Sequence, residues 1–237
     1  MELRGPFRDP SGIATYYLRN TTAGLFGGDA CRVDVTAGAG ATVRVCATSA
    51  TKVYASRGRE ASVTVRLAAE PSGTLIWGPH AAIVQAGARF RQEVTVVLAK
   101  GGRVVVAEIL VLGRLARGER FAFERIDGAL EVRMGDDEPA YSEAYIVSPG
   151  PNLEASMAGR AVVASVYALG VDPTRVGSRL NAFLNPSCYL AGWSELPSGA
   201  GLVVRSLADS LSEAEGIVEG VVDLVAANLA CPEPPVT

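Results

Sequence analysis

The chain has 237 residues, of which 49% are hydrophobic and 20% charged, so it can bury an ample core. Its formal net charge of -3 and pI near 5.4 exclude a broad basic surface for a nucleic-acid backbone. We therefore expect no nucleic-acid partner. We also expect one domain over residues 1–237, because all-β domains of this length are often single.

Targeting signals are not evident in the sequence. Four charged residues interrupt residues 1–10, which therefore lack the pattern of a secretory leader. The longest apolar runs, at 103–112 and 161–169, are far shorter than the roughly 20 residues that a membrane span needs. The sequence therefore predicts a soluble, cytoplasmic protein with no membrane partner.

Alternating apolar and polar residues dominate the first half of the chain. They predict half-buried strands at 31–35, 42–45 and 62–67, separated by turns that contain Gly, Pro or Ser. The run 103–112 is almost continuously apolar, which is typical of a strand covered on both faces. Short strands that follow one another without helices favour a sandwich or a helical stack of strands.

The second half of the chain contains further strand patterns and a different ending. The Pro-rich end at 231–237 is predicted to be frayed. The other predicted elements are a short hairpin at 127–138 with a polar tip at 135–137, a strand or turn at 141–147, and strands at 160–169, 188–196 and 202–207.

Two helices are predicted in the C-terminal third. An Asp-Pro pair at 172–173 is a typical helix start, so the first helix covers 175–184. Ser210 or Ser212 begins the second helix, which has acids in its first turn and one apolar face.

The sequence contains few of the residues that catalysis or tight metal binding requires. His80 is the single histidine, and a structural role is favoured for it over that of a catalytic base. Cys31, Cys46, Cys188 and Cys231 form no CxxC pair and are interpreted as reduced structural thiols. We therefore expect no enzyme activity, no tightly bound cofactor and no tight metal site.

Isolated polar residues on the strands are weak candidates for a cation route. Asp34, Thr48, Glu108 and Glu143 are predicted to face inward, and carboxylates hold a soft transition metal less tightly than thiolates or imidazoles do. The alternative, an ordinary exposed or paired polar group, stays open for each of them. Adjacent acids at 136–138 are interpreted as a solvated turn.

Two short clusters occur in the first quarter of the chain. The first, Gly24-Leu25-Phe26-Gly27-Gly28-Asp29, predicts a tight architectural loop, because glycine allows positive φ and Asp29 can cap turn amides. The second is Ala50-Thr51-Lys52-Val53-Tyr54, in which Lys52 and Tyr54 lie opposite Val53. This pair suits packing inside the stack and a partner surface equally well.

A third cluster follows the apolar run. It consists of Leu112-Gly113-Arg114 and then Gly118-Glu119-Arg120-Phe121. Arg114 and Glu119 bracket a loop in which Arg can pair with a carboxylate, and Phe121 anchors that loop. A fold-stabilising ion pair is the simpler interpretation, and a partner contact is the alternative.

The three clusters occur in a fixed order and spacing, and Phe7-Arg8-Asp9-Pro10 precedes them. Together these segments resemble the UreD (UreH) family of urease accessory proteins. The resemblance implies a mainly β fold: a right-handed β-helix-like stack of strands with two helices in the C-terminal third. It also implies a scaffold that binds apo-urease with UreF and, through UreF, the GTPase UreG, so that nickel reaches the urease active site. Nickel would bind transiently, and a homodimer within the complex is compatible with this role.

Two other classes of protein stay open on the sequence alone. A carbohydrate-active enzyme on a β-helix scaffold would need a groove rich in aromatic and acidic residues, and only 6% of the residues are aromatic. A structural, oligomerising β-protein would need a self-complementary edge or patch.

Overall fold

The computed structural model describes residues 1–8, 13–135, 138–185 and 189–229. The protein is mainly β, with 51% strand and 18% helix. One sheet, here called the first sheet, contains β1 (Glu2–Arg8), β2 (Ala14–Arg19), β4 (Thr42–Ala47), β5 (Thr51–Val53), β7 (Thr74–Val84), β9 (Arg103–Val111), β12 (Val162–Leu169), β13 (Leu190–Leu196) and β14 (Gly201–Ala208). The second sheet contains β3 (Ala30–Ala37), β6 (Ala61–Ala69), β8 (Arg89–Leu98), β10 (Arg125–Met134) and β11 (Glu138–Val147). The α-helices are α1 (Leu153–Ser156), α2 (Gly177–Leu184) and α3 (Leu211–Leu229).

The chain passes back and forth between the two sheets. The strand order is β1-β2-β4-β7-β9-β12-β14-β13 in the first sheet, where β5 also pairs with β7, and β11-β10-β8-β6-β3 in the second. Strands β2, β4, β7 and β9 pair in parallel in the first sheet, and β3, β6, β8 and β10 do so in the second. The result is a solenoid-like stack of about three turns, which confirms the predicted β-helix-like architecture.

The protein has three layers: the second sheet, the first sheet and the helices. Strand β9 lies in the middle and is covered on both faces, as its apolar sequence predicted. Val104 and Val106 pack in the core between the sheets, whereas Val105 and Ala107 pack in the core shared with α2 and α3. A second apolar cluster lies between the sheets nearer the loops, around Phe90 and Leu112.

The hairpin predicted at 127–138 is longer than expected. Strands β10 and β11 pair antiparallel from Ile126 with Val147 to Met134 with Glu138, so 141–147 belongs to its second arm. The arms are long because β10 alternates between the two faces of the sheet from Ile126 onward and pairs with β11 along nearly its whole length. Residues 136–137 of the predicted tip lie outside the described residues.

Both predicted helices form, with adjusted starts. Asp172 accepts a hydrogen bond from the Thr174 N–H at 2.9 Å, but this cap begins a 3-10 turn, and α2 follows only from Gly177. Ser210, rather than Ser212, caps α3, since its Oγ accepts the Glu213 N–H at 3.2 Å. The short helix α1 was not predicted. Residues 186–188 and 230–237, including Cys188, Cys231 and the predicted frayed tail, lie outside the described residues.

In the described part of the chain, no helix is both long and apolar enough to cross a membrane. The longest of these helices, α3, has 19 residues and carries four acids, Glu213, Glu215, Glu219 and Asp223.

Candidate functional site

The first two sequence clusters are adjacent in the structure. Leu25 forms a parallel bridge with Val53, and its N–H donates to the Lys52 carbonyl at 2.8 Å. The Tyr54 N–H in turn donates to the Leu25 carbonyl at 2.9 Å. Leu25 and Val53 are buried, whereas Lys52 is exposed and Tyr54 half-buried, so the polar pair lies opposite Val53.

A stacked aromatic pair fixes the surface above this bridge. The rings of Phe26 and Tyr54 lie 4.7 Å apart at an interplanar angle of 11°. The Tyr54 hydroxyl donates to the Ala23 carbonyl at 3.1 Å. Because both of its ends are held, the Tyr54 ring has little rotational freedom.

The glycine loop requires its small residues. A Cβ on Gly27 would lie 2.3 Å from the Ser56 carbonyl oxygen, and Gly28 has a φ of +94°. Asp29 accepts the Phe26 N–H at 2.9 Å, so it closes the turn. These contacts give the loop an architectural role and place Phe26 at the surface.

The third cluster forms a loop that hydrogen bonds to Glu119 stabilise. The Glu119 carboxylate accepts from Arg114 Nε at 2.9 Å and from the Ala86 N–H at 2.9 Å. The hydrogen bond from Arg114 holds the pKa of Glu119 below its usual value, against the opposing effect of burial. Phe121 has a φ of +53°, and its N–H donates to the Leu112 carbonyl at 2.8 Å.

All three clusters meet at the carboxyl ends of the parallel strands β5, β7 and β9, around two adjoining clefts. The clefts have volumes of about 530 and 590 Å³ and share Tyr54, Gln85 and Arg114. We call this surface the motif face. It is defined by the polar and aromatic residues that line the clefts, namely Phe26, Lys52, Tyr54, Arg57, Arg59, Gln85, Arg114 and Arg117.

A second constellation lies inside the stack, across the first sheet. The strand register places His80 beside Glu108, Glu108 beside Ser165, and Ser165 beside Arg205. We call these four residues the polar row. Opposite them, Gln92, Gly128 and Tyr145 are register neighbours in the second sheet. The row separates the two apolar clusters that fill the space between the sheets.

Glu108 stands at the junction of two partly open cavities between the sheets. Cavities of about 60 and 260 Å³ share Glu108, Gln92, Ala82 and Phe90 as lining residues. Gln92 Nε2 donates to Glu108 Oε1. Burial raises the pKa of Glu108 to about 7, and the charge of Glu143 acts in the same direction. The carboxyl therefore exchanges its proton near neutral pH.

Glu143 lines the larger cavity and lies in a network of phenols. Its Oε2 accepts from the Tyr141 hydroxyl at 2.6 Å and from the Tyr167 hydroxyl at 3.2 Å, and it pairs with Arg205. Burial, with the Glu143 contact, raises the pKa of Tyr141 to about 12. Burial also raises the pKa of Tyr145 and that of Tyr167, so these phenols stay protonated at neutral pH.

His80 lines the smaller cavity in a packed environment. Its ring stacks on Trp77 with 3.9 Å between the ring centroids, and Nε2 lies 3.2 Å from the Val45 carbonyl oxygen. Burial lowers the pKa of His80 to about 4, which keeps the imidazole neutral. The stacking and the carbonyl contact explain a structural role.

Two of the polar residues expected to face inward do not. Asp34 is exposed and pairs with Arg32 at 2.8 Å, because the alternation of β3 turns Val33 and Val35 toward the core instead. Thr48 lies in the bend after β4 and is exposed. Glu108 and Glu143 line the same cavity, as a shared route would require.

Sequence analysis missed other residues of the interior site. Gln92, Tyr167 and Arg205 were not singled out, although Gln92 interrupts the inward apolar series of Phe90 and Val94 in β8. That interruption can be recognised in the sequence once it is known which alternate residues of β8 face inward.

Among the described residues, no group of three or more His, Cys, Asp or Glu side chains could hold a metal ion. The class that the fold and the site define is thus a β-solenoid protein with two carboxylates, Glu108 and Glu143, on one cavity and a cationic cleft surface at the ends of its strands.

The model of the family described as "UreD urease accessory protein" matches residues 1–236. The chain belongs to the UreD family of urease accessory proteins, which is not a known class of catalytic enzyme.

Individual relatives agree with the family match. "Urease accessory protein UreD" of Haloarcula marismortui is 32% identical over 200 residues, which cover 82% of this chain and 67% of the relative. "Urease accessory protein UreD 2" of Synechococcus sp. is 40% identical over 54% of this chain, and the chain spans only 46% of that relative. The protein of the same name from Streptomyces griseus is 33% identical over 89% of this chain and 74% of its own length.

Proposed function

We propose that this protein is a urease accessory scaffold that docks on apo-urease together with UreF and UreG and helps to deliver nickel to the urease active site. The observation that carries the delivery step is the position of Glu108 at the junction of two partly open cavities between the sheets in a member of this family. Family membership supports the association with urease.

The interior chemistry suits passage of a divalent cation rather than its storage. The donors that line the larger cavity are carboxylate, phenol, hydroxyl and amide oxygens, which hold nickel more weakly than thiolates do. Arg205 already pairs with Glu143, so that carboxylate does not contribute a full free charge. A site of this kind releases its cargo readily.

Glu108 supplies a proton-coupled step where the two cavities of the proposed route meet. With a pKa near 7, its carboxyl can give up a proton when a cation approaches and regain it when the cation leaves. One of the two positive charges of Ni²⁺ is thereby compensated in the low-dielectric interior. The phenols of Tyr145 and Tyr167 stay neutral and offer oxygen donors.

The test is co-expression of this chain with UreF, UreG and apo-urease subunits, followed by size-exclusion chromatography, nickel quantification and urease assay. A complex that contains all partners, together with urease activation that depends on this chain, is expected. Elution of the chain alone, with activation indifferent to its presence, would rule the proposal out.

A further inference from the structure

The motif face carries an excess of positive charge that the rest of the chain does not share. Its two clefts are lined by Lys52, Arg57, Arg59, Arg114 and Arg117, and by no described aspartate or glutamate. The chain as a whole has a net charge of -3. Cations have therefore been concentrated at one end of an acidic protein.

Most of these cations have no internal counter-charge. Arg114 pairs with Glu119, but none of the other four forms an ion pair with a carboxylate in the described part of the chain. Elsewhere on the surface, exposed arginines such as Arg32 and Arg91 pair with neighbouring acids. Like charges held close together repel one another, and an anionic partner would relieve this repulsion.

The cleft of about 530 Å³ has a largely apolar lining. Beneath Lys52 and Arg117, the cleft of about 530 Å³ is lined by Ile83, Val111 and Leu115, and by Leu211 at the start of α3. This is the arrangement of a protein contact, with an apolar pocket for an anchoring side chain and a charged rim.

Two side chains of the motif face are held in place before any partner binds. The Tyr54 ring is held by Phe26 and by the Ala23 carbonyl, and Arg114 is held by Glu119. Side chains that are already ordered lose little conformational entropy on binding.

We infer that the motif face binds an acidic segment of a protein partner, with one large apolar side chain of that segment inserted into the cleft between Lys52 and Arg117. The existence of a protein partner rests on the proposed function, but the chemistry of the contact rests on the residues above. Charge complementarity sets the rate and specificity of such binding, and the apolar anchor sets its lifetime.

The probe is a fluorescein-labelled peptide with a central phenylalanine flanked on each side by three acidic residues. Fluorescence anisotropy would measure its binding to the isolated chain at low and high salt. The test variant is Lys52→Glu/Arg117→Glu. The control is Arg32→Glu/Arg66→Glu, which changes the net charge equally on the outer face of the second sheet. Thermal melts verify that both variants fold.

The expected result is salt-sensitive binding that weakens about tenfold or more in Lys52→Glu/Arg117→Glu and changes less than about twofold in the control. Replacing the central phenylalanine of the peptide by serine should weaken binding as well. No binding, or equal losses in both variants, would overturn the inference. The inference would also be overturned if a poly-uridine oligonucleotide displaced the labelled peptide as effectively as unlabelled peptide does, because the face would then recognise phosphate.

This assay involves neither urease nor nickel. A negative peptide result therefore removes the surface assignment and leaves the urease-activation test standing. A chain that binds the peptide but neither assembles with nor activates urease would retain the surface and lose the proposed function.

Discussion

At the residue scale, Glu108 is the least expected side chain in the interior. It occupies an inward position of β9 between Val106 and Leu110, where the pattern of the strand calls for an apolar residue. Gln92 is its hydrogen-bond partner, while Glu143 raises its pKa further. An ionisable group held there without an ion pair costs stability, which is typical of a functional position.

Replacing Glu108 by Gln should change how stability depends on pH. Below about pH 4.5 the carboxyl is protonated in both folded and unfolded chains; between 4.5 and about 7 only the unfolded chain loses the proton. The free energy of unfolding of the wild type should therefore fall relative to that of Glu108→Gln as pH rises through this window. The difference should reach at most about 3 kcal/mol.

Urea titrations of both proteins at several pH values measure this difference. Glu93→Gln, on the exposed outer face of β8, is the matched control and should follow the wild type. A constant difference between wild type and Glu108→Gln from pH 4 to pH 8 would contradict the raised pKa. The groups that face Glu108 are Glu143, Tyr145, Tyr167, Arg205 and His80, of which His80 stays neutral above about pH 4.

Replacing Glu119 by Ala should release the loop of the third cluster. The substitution leaves the Ala86 N–H without its acceptor and Arg114 without its partner, at a cost of about 2 kcal/mol. The free energy of unfolding from urea titration is the measurement. Glu93→Ala, which is exposed, should lose less than about 0.5 kcal/mol, and an equal loss in the two variants would show that Glu119 is only a surface acid.

At the element scale, the pairing of β10 with β11 places an aromatic ring over a glycine. Tyr145 lies directly across from Gly128, and a Cβ on Gly128 would approach Tyr145 Cζ to 2.1 Å. The glycine thus makes room for the ring that forms one wall of the larger cavity.

Gly128→Ala should displace the Tyr145 ring and destabilise the protein by about 1 kcal/mol, the low end of overpacking costs, because a Cβ would meet only the far end of this partly exposed side chain. Gly192→Ala is the control, because a Cβ there would meet nothing within 4 Å in the edge strand β13. Thermal denaturation and the near-ultraviolet circular dichroism of tyrosine report the two effects. Equal melting temperatures and spectra for the two variants would contradict this packing.

The sequence allowed the elements to be predicted where the pattern was local. The alternation of β3, β4 and β6 and the apolar run of β9 follow directly from burial on one face or on both. The length of the β10–β11 hairpin did not follow, because pairing between strands decides where each arm ends. The prediction that Asp34 faces inward was wrong. Successive residues of a strand point to opposite faces, so a shift of one residue reverses the predicted side of every side chain.

The interior site was predictable only in part, for a related reason. Glu108 and Glu143 could be selected from the sequence as polar residues in strands. Whether their side chains line the same cavity depends on how β9 and β11 are stacked in opposite sheets. Gln92 and Arg205 join them only because cross-strand register places them at the same level. Long-range register is not encoded in any short motif.

At the scale of the whole molecule, the fold separates two features. The carboxyl ends of the central parallel strands carry the cationic motif face, while the polar row divides the space between the sheets. The chain belongs to the UreD family of urease accessory proteins. In the function proposed above, partners engage the motif face and nickel passes the carboxyl of Glu108.

The most direct measurement is nickel transfer into urease by the complete complex that contains Glu108→Gln, compared with one that contains Glu93→Gln. Both variants replace one glutamate by glutamine, and both should assemble with the partners as the wild type does. We predict that nickel content and urease activity fall about tenfold or more in the Glu108→Gln complex alone, since one lost charge contact of about 1.4 kcal/mol is tenfold. Full nickel loading by an intact Glu108→Gln complex would contradict the interior route.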